Sequence, residues 1–207
     1  MNSRIIAWVV AGIGSSLAAQ ATLQPPALVY TKALQEPTES AWAELREAQA
    51  DSVVLPRTGM AVATDIGKGT DIHPSNQQGV GRRQALVAQR VAYGDQKAVA
   101  AGPTLQSMQV SGSQVRVKFT STGTGLLLKT GNTTLSGFAV AGADRKSHWA
   151  AATLASAGVV LTCAAVPAPV AVRYDWADNP GGNLYNREGL PVAPFRTDQW
   201  VAEAGKP

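Results

Sequence analysis

The spacing of apolar residues changes near residue 100, and this change constrains the fold more than any other feature of the chain. Before it, short apolar runs alternate with stretches of good helix formers in the order strand, helix, strand, helix. After a linker at residues 95–103, apolar and polar residues alternate one by one, as in Val115-Arg116-Val117-Lys118-Phe119. The first pattern predicts a parallel sheet covered by helices, and the second predicts antiparallel strands. We therefore expect an α/β domain at residues 22–100 and a β domain at residues 101–207.

The α/β part has recognisable element boundaries. Ser40 is a residue type that favours helix starts, and good helix formers follow it to Ala50, with Trp42 and Leu45 spaced to share the inner face. Gly94 is a helix stop signal for a second helix. The predicted elements are a strand at 27–31, a helix at 41–50, a strand at 59–64 and a helix at 76–93.

The second part reads as an antiparallel β-sandwich of about 90 residues, a size typical of such domains. Residues 111–113 predict a tight turn between the first two strands. The stretches 176–186 and 189–198 have loop-like composition and are expected to be irregular. Strands are predicted at 108–110, 115–119, 125–129, 138–141, 159–163 and 170–174.

The N-terminal 21 residues predict a secretory signal peptide. Arg4 supplies a positive start, a run of 15 apolar residues extends from Ile5 to Ala19, and Ala19-Gln20-Ala21 fits a cleavage site. The run is short for a membrane span, although an uncleaved N-terminal anchor is the alternative. We expect a mature chain that starts at Thr22, is secreted or periplasmic, and has no stable membrane span after cleavage.

Composition narrows the classes of function. The 207 residues are 45% hydrophobic and 15% charged, with a formal net charge of +4, and the basic residues are scattered. Nucleic-acid binding requires clustered positive charge, so no nucleic-acid partner is expected. No group of His, Cys, Asp and Glu has metal-ligand spacing, and we expect neither a metal nor another cofactor. The lone Cys163, in an apolar stretch, is expected to be a buried small side chain.

His73 is the candidate catalytic residue. It follows a predicted strand and precedes a predicted helix, where ligands of parallel sheets are bound, and Asp71 lies two positions before it. An imidazole near a carboxylate suits proton transfer near neutral pH. The alternative is a helix-entry loop in which Asp71 caps the helix and Pro74 opens it.

Seven separate segments, spanning roughly residues 28–200, occur in the order found in the sialate O-acetylesterase family of SGNH (GDSL-like) hydrolases, and the chain resembles the C-terminal half of that family. The segments are Glu39 to Gln49, Thr58 to Val62, Asp71 to Pro74, Gly81 to Arg83, Gly137 to Asp144, Val170 to Tyr174, and Asn183 to Asn186 through Pro194 to Asp198.

The resemblance implies a fold and a reaction. The fold would be the C-terminal part of an SGNH three-layer α/β/α domain followed by an antiparallel β-sandwich-like domain. The reaction would be hydrolysis of O-acetyl esters on sugars through an acyl-serine, with a histidine as general base. The family's catalytic histidine corresponds to His73 and its carboxylate to Asp71. SGNH enzymes usually place that carboxylate three residues before the histidine, where this chain has Thr70, and Asp65 is the second candidate.

The family's nucleophile segment, of Gly-Gln-Ser-Asn type, does not occur in the sequence. Ser75 is near His73 but lies on the same short loop, a spacing that rarely gives base-to-nucleophile geometry. We therefore expect an O-acetylated carbohydrate as substrate. The serine would come from a partner chain that supplies the missing serine half, or from a missing N-terminal portion. The alternative is a catalytically inactive fragment, acting at most as a carbohydrate-binding or interaction module.

Overall fold

The computed structural model describes residues 6–10, 37, 39–69, 76–156 and 158–200, and only the backbone of residues 6–10. The predicted strand at 27–31 lies outside the described residues. The elements are β1 (Ile6–Val10), α1 (Ala41–Asp51), a 3-10 turn (Ser52–Val54), β2 (Thr58–Val62), α2 (Gln77–Val91), β3 (Thr104–Ser111), β4 (Gln114–Thr120), β5 (Leu126–Leu128), β6 (Phe138–Ala141), β7 (Ser147–Trp149), β8 (Ala151–Ala155), β9 (Gly158–Thr162), β10 (Ala171–Tyr174), β11 (Leu184–Asn186) and β12 (Phe195–Arg196).

Helix α1 begins where the sequence predicts. The Ser40 side chain accepts a hydrogen bond from the Ala43 amide at 3.1 Å, which satisfies one of the free N–H groups of the first turn. The expected inner face is wrong in detail, because Ala43 and Arg46 are buried whereas Trp42 and Leu45 are only half-buried. Arg46 is buried because its guanidinium donates to the Ala177 carbonyl of the C-terminal loop. A polar contact, rather than an apolar stripe, therefore determines how this helix packs.

Helix α2 packs against β2 through a glycine. Gly59 has no side chain, and a Cβ there would lie 2.5 Å from a methyl carbon of Val87 and 3.2 Å from one of Val91. Glycine at this position thus lets the helix approach the strand closely. The N-cap of α2 is Asn76, whose side chain accepts from the Gly79 amide at 2.8 Å, so the helix cap predicted at Asp71 is wrong.

The partner of β2 comes from the N-terminal segment. Strand β1 pairs with β2 in parallel, in a register that places Ile6 opposite Thr58 and Val10 opposite Val62. These residues fall within the predicted signal peptide. Cleavage after Ala21 would remove strand β1, the neighbour of β2. The signal peptide itself stays a prediction.

The C-terminal part consists of two four-stranded antiparallel sheets and a two-stranded one. Their strand orders are β12-β10-β6-β7, β3-β4-β9-β8 and β11-β5. The β3–β4 hairpin turns at Gly112, which has a φ of +59° that glycine adopts without steric cost. Side chains alternate between buried and exposed along β4, as the period of two predicts.

One apolar core is shared by the sheets of this part. Both four-stranded sheets and β11 contribute fully buried side chains to it, and Leu184 of β11 is completely buried. Three aromatic rings meet there: Phe138 and Tyr174 have centroids 4.5 Å apart, and Phe195 stacks on Tyr174 at 5.9 Å. Aromatic pairs at these distances stabilise a core beyond their buried area.

Four strands of the β part, β7, β8, β11 and β12, were not predicted from the sequence. Residues 184–186 and 195–196, expected to be irregular, form β11 and β12, and His148 lies on β7 opposite Val140. These strands are only two to five residues long, too short for a periodic signal. The described fold is mixed, with few helices and mostly antiparallel sheets, and the three-layer α/β/α arrangement stays a prediction.

Candidate functional site

His73 and Asp71 both lie in residues 70–75, outside the described residues, as do Thr70 and Ser75. The structure does describe both flanks of this segment. Strand β2 ends at Val62 and a turn continues to Gly69, and Asn76 caps α2 on the other side. The connection that carries His73 therefore runs from the carboxyl end of a parallel strand to a helix N-terminus, the position at which ligands meet open α/β sheets.

Asp65, the second candidate for the triad carboxylate, is the centre of a buried polar cluster. Arg83 of α2 donates to both oxygens of Asp65, at 2.6 and 2.7 Å, and donates to the Val62 carbonyl at 2.6 Å. Tyr185 of β11 donates its hydroxyl hydrogen to the Asp65 carboxylate at 3.0 Å. The side chains of Arg83 and Asp65 are each only 8% exposed. We call Asp65, Arg83 and Tyr185 the carboxylate clamp.

The clamp fixes the charge of Asp65. Burial alone would raise the pKa of Asp65, but the hydrogen bonds and positive charge of Arg83, with the Tyr185 hydrogen bond, hold that pKa below its ordinary value. Burial and the negative charge of Asp65 raise the pKa of Tyr185, so its hydroxyl stays protonated as a donor. Three donated hydrogen bonds already engage the Asp65 carboxylate. Asp71 lies outside the described residues, so the choice between Asp71 and Asp65 as the orienting carboxylate stays a prediction.

The C-terminal loop between β10 and β11 packs beside the same connection. The Asn179 side chain fills the space in which a Cβ of Gly69 would lie. The Ser40 hydroxyl donates to Asp178 at 2.6 Å, and Arg46 donates to the Ala177 carbonyl. The N-cap residue of α1 is thereby bonded to this loop, and Gly69, the last residue before the undescribed segment, packs against it.

A buried carboxyl at the start of the loop, Asp175, has an unusual pKa. Desolvation by burial raises that pKa to about 7, although a hydrogen bond from the Gly182 amide at 2.7 Å and the charge of Arg46 oppose the shift. Space for the carboxyl exists because Gly137 and Gly182 lack side chains that would collide with it. Sequence analysis missed Asp175, since nothing in its neighbourhood predicts full burial.

The rest of the C-terminal segment serves packing. Arg173 donates to both oxygens of Asp198, at 2.8 and 3.0 Å, and to Glu39 at 2.8 Å. The Trp176 ring lies near two guanidinium groups, 5.3 Å from that of Arg173 and 4.7 Å from that of Arg196. Such cation–π contacts add to packing. Trp176 and Tyr185 are only 5% and 6% exposed, so neither ring is available to stack on a sugar.

The serines for which the structure gives side-chain hydrogen bonds have structural roles. Ser40 caps α1 and donates to Asp178, Ser52 donates to the Gln49 carbonyl at 2.6 Å, and Ser136 donates to the Gly181 carbonyl at 3.2 Å. Cys163 is a half-buried free thiol at the edge of the β core, rather than fully buried as expected.

Across the residues that the structure describes, no group of three or more His, Cys, Asp or Glu side chains is arranged to hold a metal ion. None of the described helices has the length and apolar character needed to cross a membrane.

Comparison with solved structures gives an informative match. The chain is similar to the crystal structure of a novel carbohydrate acetylesterase from Xanthomonas citri, with a TM-score of 0.75 and 44% sequence identity. The match covers 80% of this chain but only 38% of the acetylesterase. The chain thus spans well under half the length of the enzyme it resembles. No protein-family model and no curated protein matches the sequence.

Proposed function

We propose that this chain is the histidine-bearing C-terminal portion of a carbohydrate O-acetylesterase of the sialate O-acetylesterase type, with an SGNH-like α/β/α layer. The observation that carries the proposal is the 44% identity to a carbohydrate acetylesterase over 80% of the chain. At that identity a common fold is retained throughout the aligned part. The match includes too little of the acetylesterase to extend its activity to this chain without a test.

In the proposed reaction, His73 is the general base. It removes the proton from a serine hydroxyl while the serine oxygen attacks the acetyl carbonyl, and it then gives that proton to the departing sugar oxygen. Water, deprotonated by the same imidazole, releases acetate and restores the serine. Asp71 would orient the imidazole and stabilise its positive charge. The serine comes from outside these 207 residues, either from another chain or from a missing N-terminal portion.

The described residues support this assignment of roles in two ways. The His73 connection leaves the carboxyl end of a parallel strand, and the alternative carboxylate Asp65 is already held by Arg83 and Tyr185. Burial of Trp176 and Tyr185 removes two aromatic rings that a carbohydrate-binding module in this part of the chain could have used. The experiment must therefore distinguish an active esterase from a catalytically inactive fragment.

The test measures acetate released from p-nitrophenyl acetate and from an O-acetylated sugar. Wild type and His73→Ala are assayed alone and mixed with the part of the Xanthomonas citri acetylesterase that this chain does not match. We expect turnover in the mixture that His73→Ala lowers by at least a hundredfold, as for loss of a general base. His148→Ala is the matched control and should keep full turnover.

Two outcomes would change the proposal. Turnover by this chain alone that depends on both His73 and Ser75 would place the nucleophile in the chain and remove the need for a second polypeptide. Turnover in neither setting, from samples with native circular dichroism, would favour the inactive fragment. Asp71→Asn and Asp65→Asn are compared in the active setting. Asp71→Asn should lower the turnover number while hydrogen exchange in residues 63–69 and 76–83 stays as in wild type, whereas Asp65→Asn should change both.

A further inference from the structure

The carboxylate clamp joins three elements that are distant in sequence. Asp65 follows β2, Arg83 lies on the second turn of α2, and Tyr185 belongs to β11 of the β part, 120 residues from Asp65. Arg83 also donates to the Val62 carbonyl, the last residue of β2. One guanidinium therefore bonds the end of the strand and the turn after it, and a phenol from the β part bonds the same carboxylate.

The clamp brackets the connection that carries His73. Within the clamp, Asp65 lies five residues before the undescribed segment 70–75, and Arg83 lies seven residues after Asn76. Fixing Asp65 to Arg83 fixes the direction in which the chain leaves β2 relative to the first turns of α2. Catalytic groups must be held within about 0.5 Å of their working geometry. Contacts that fix both ends of a loop therefore matter most when the loop carries a reactive side chain.

Stability alone is a weak reason for this arrangement. Burying an ion pair costs desolvation energy that the attraction between its charges often does not exceed, and apolar residues of similar size are frequently as stable. The phenol of Tyr185 adds a polar atom to a site where phenylalanine would bury the same ring. A bidentate Arg–carboxylate pair does, however, impose direction as well as distance.

We infer that Tyr185 and Arg83 are positioning residues that act through Asp65, holding the end of β2 and the start of α2 in the geometry that the His73 connection requires. The β part is then a working component of the catalytic unit and not a separate binding module. This inference rests on the proposed function for its catalytic meaning, whereas the clamp itself is testable without any turnover.

The first experiment uses hydrogen–deuterium exchange of the whole chain. Tyr185→Phe removes only the hydroxyl, and Tyr93→Phe makes the same change in a tyrosine that is 80% exposed. Loss of a hydrogen bond to a charged group predicts about a tenfold or greater rise in exchange. We expect that rise in residues 63–69 and 76–83 of Tyr185→Phe, with residues 115–119 and 159–161 unchanged, and no rise in Tyr93→Phe. Unchanged exchange in 63–69, or an equal rise throughout the chain, would overturn the inference.

A second pair of variants covers the case in which Tyr185→Phe unfolds. Arg83→Lys keeps the charge but loses the two-point geometry, and its neighbour Arg82, which is exposed, gives the control Arg82→Lys. The same local rise is expected for Arg83→Lys only. Nuclear magnetic resonance adds a readout that a purely structural role would not move: the His73 ring signal should shift in Tyr185→Phe and Arg83→Lys, while the His148 signal stays in place.

Kinetics in the complemented enzyme then separate the two proposals. For positioning, the turnover number should fall about tenfold or more in Tyr185→Phe with KM within twofold, since geometry and not substrate affinity is lost. A rise in KM alone would overturn the catalytic part of the inference. If wild type shows no turnover, the proposed function fails, and exchange and the His73 signal still decide whether the clamp holds the connection.

Discussion

Arg196 and Glu47 form a two-point ion pair, with nitrogen–oxygen distances of 2.9 and 2.7 Å, although 149 residues separate them. The pair joins β12 to α1, and the bond of Arg173 to Glu39 makes a second link between the β part and the residues before α1. Together with the carboxylate clamp and the bonds of Ser40 and Arg46 to the β10–β11 loop, these contacts tie the α/β elements to the β part.

Replacing Arg173 by methionine should be strongly destabilising. The side chain of Asp198 is only 1% exposed, and Arg173→Met would remove its two-point partner and leave a buried charge. Breaking a buried pair in this way costs about 3–5 kcal/mol. Urea unfolding measures the loss, and Arg116→Met, on the exposed face of β4, should stay within about 0.5 kcal/mol of wild type. A similar cost for both variants would contradict the structural role of Arg173.

The buried carboxyl of Asp175 should make stability depend on pH. Its pKa is raised to about 7 in the folded chain, whereas an unfolded aspartate titrates near about pH 4. The folded state therefore holds more protons between these values, so this group's stabilising contribution is complete below about pH 4 and is lost as the pH rises to about 7. The three-unit difference corresponds to about 4 kcal/mol.

Asp175→Asn removes this titration and keeps the size of the side chain. We expect a Tm close to that of wild type at pH 5 and above it at pH 8, measured by circular dichroism in matched buffers. Asp51→Asn, at an exposed position at the end of α1, should follow the wild-type pH dependence. If Tm changes with pH in the same way for wild type and Asp175→Asn, the Asp175 carboxyl ionises in the folded chain without destabilising it.

Two glycines in the α/β part should respond in opposite directions to alanine. At Gly59 the new methyl group meets Val87 and Val91, and crowding of this kind costs about 1–3 kcal/mol. At Gly81, inside α2, nothing lies within 4 Å, and alanine should stabilise the helix by about 0.5–1 kcal/mol. Thermal unfolding of both variants checks the pair, and a neutral Gly59→Ala would mean that α2 does not approach β2 as closely as described.

The N-terminal segment has two competing roles that a single measurement separates. A signal peptide predicts that the exported product starts at Thr22, whereas strand β1 requires residues 6–10 to remain attached. Mass spectrometry of the product expressed in a bacterial host with intact export gives the start directly. We expect Thr22, and a comparison of the products starting at Met1 and Thr22 should then show faster hydrogen exchange in residues 58–62 of the shorter chain, because β2 has lost its neighbour.

Sequence patterns determined the local elements of this protein. The cap at Ser40, the helix stop at Gly94, the hairpin at Gly112 and the alternation along β4 each depend on residues a few positions apart, so the chemistry of one segment suffices to predict them. The resemblance in sequence likewise pointed to a carbohydrate acetylesterase, which the similar solved structure supports. His73 and Asp71 were selected at this level and stay predictions.

Only the tertiary structure decided which polar groups meet. Burial of Arg46 and the link from Tyr185 to Asp65 depend on contacts across more than 100 residues, and no local pattern encodes such distances. The desolvation of Asp175 depends on the space left by Gly137 and Gly182, which the fold brings to its carboxyl. The short strands β11 and β12 are specified in the same way, by pairing with β5 and β10 rather than by their own composition. Interactions between residues close in sequence therefore specify the helices and strands. The free-energy cost of burying a charged group without a partner favours the tertiary arrangement in which Asp65 meets Arg83 and Tyr185.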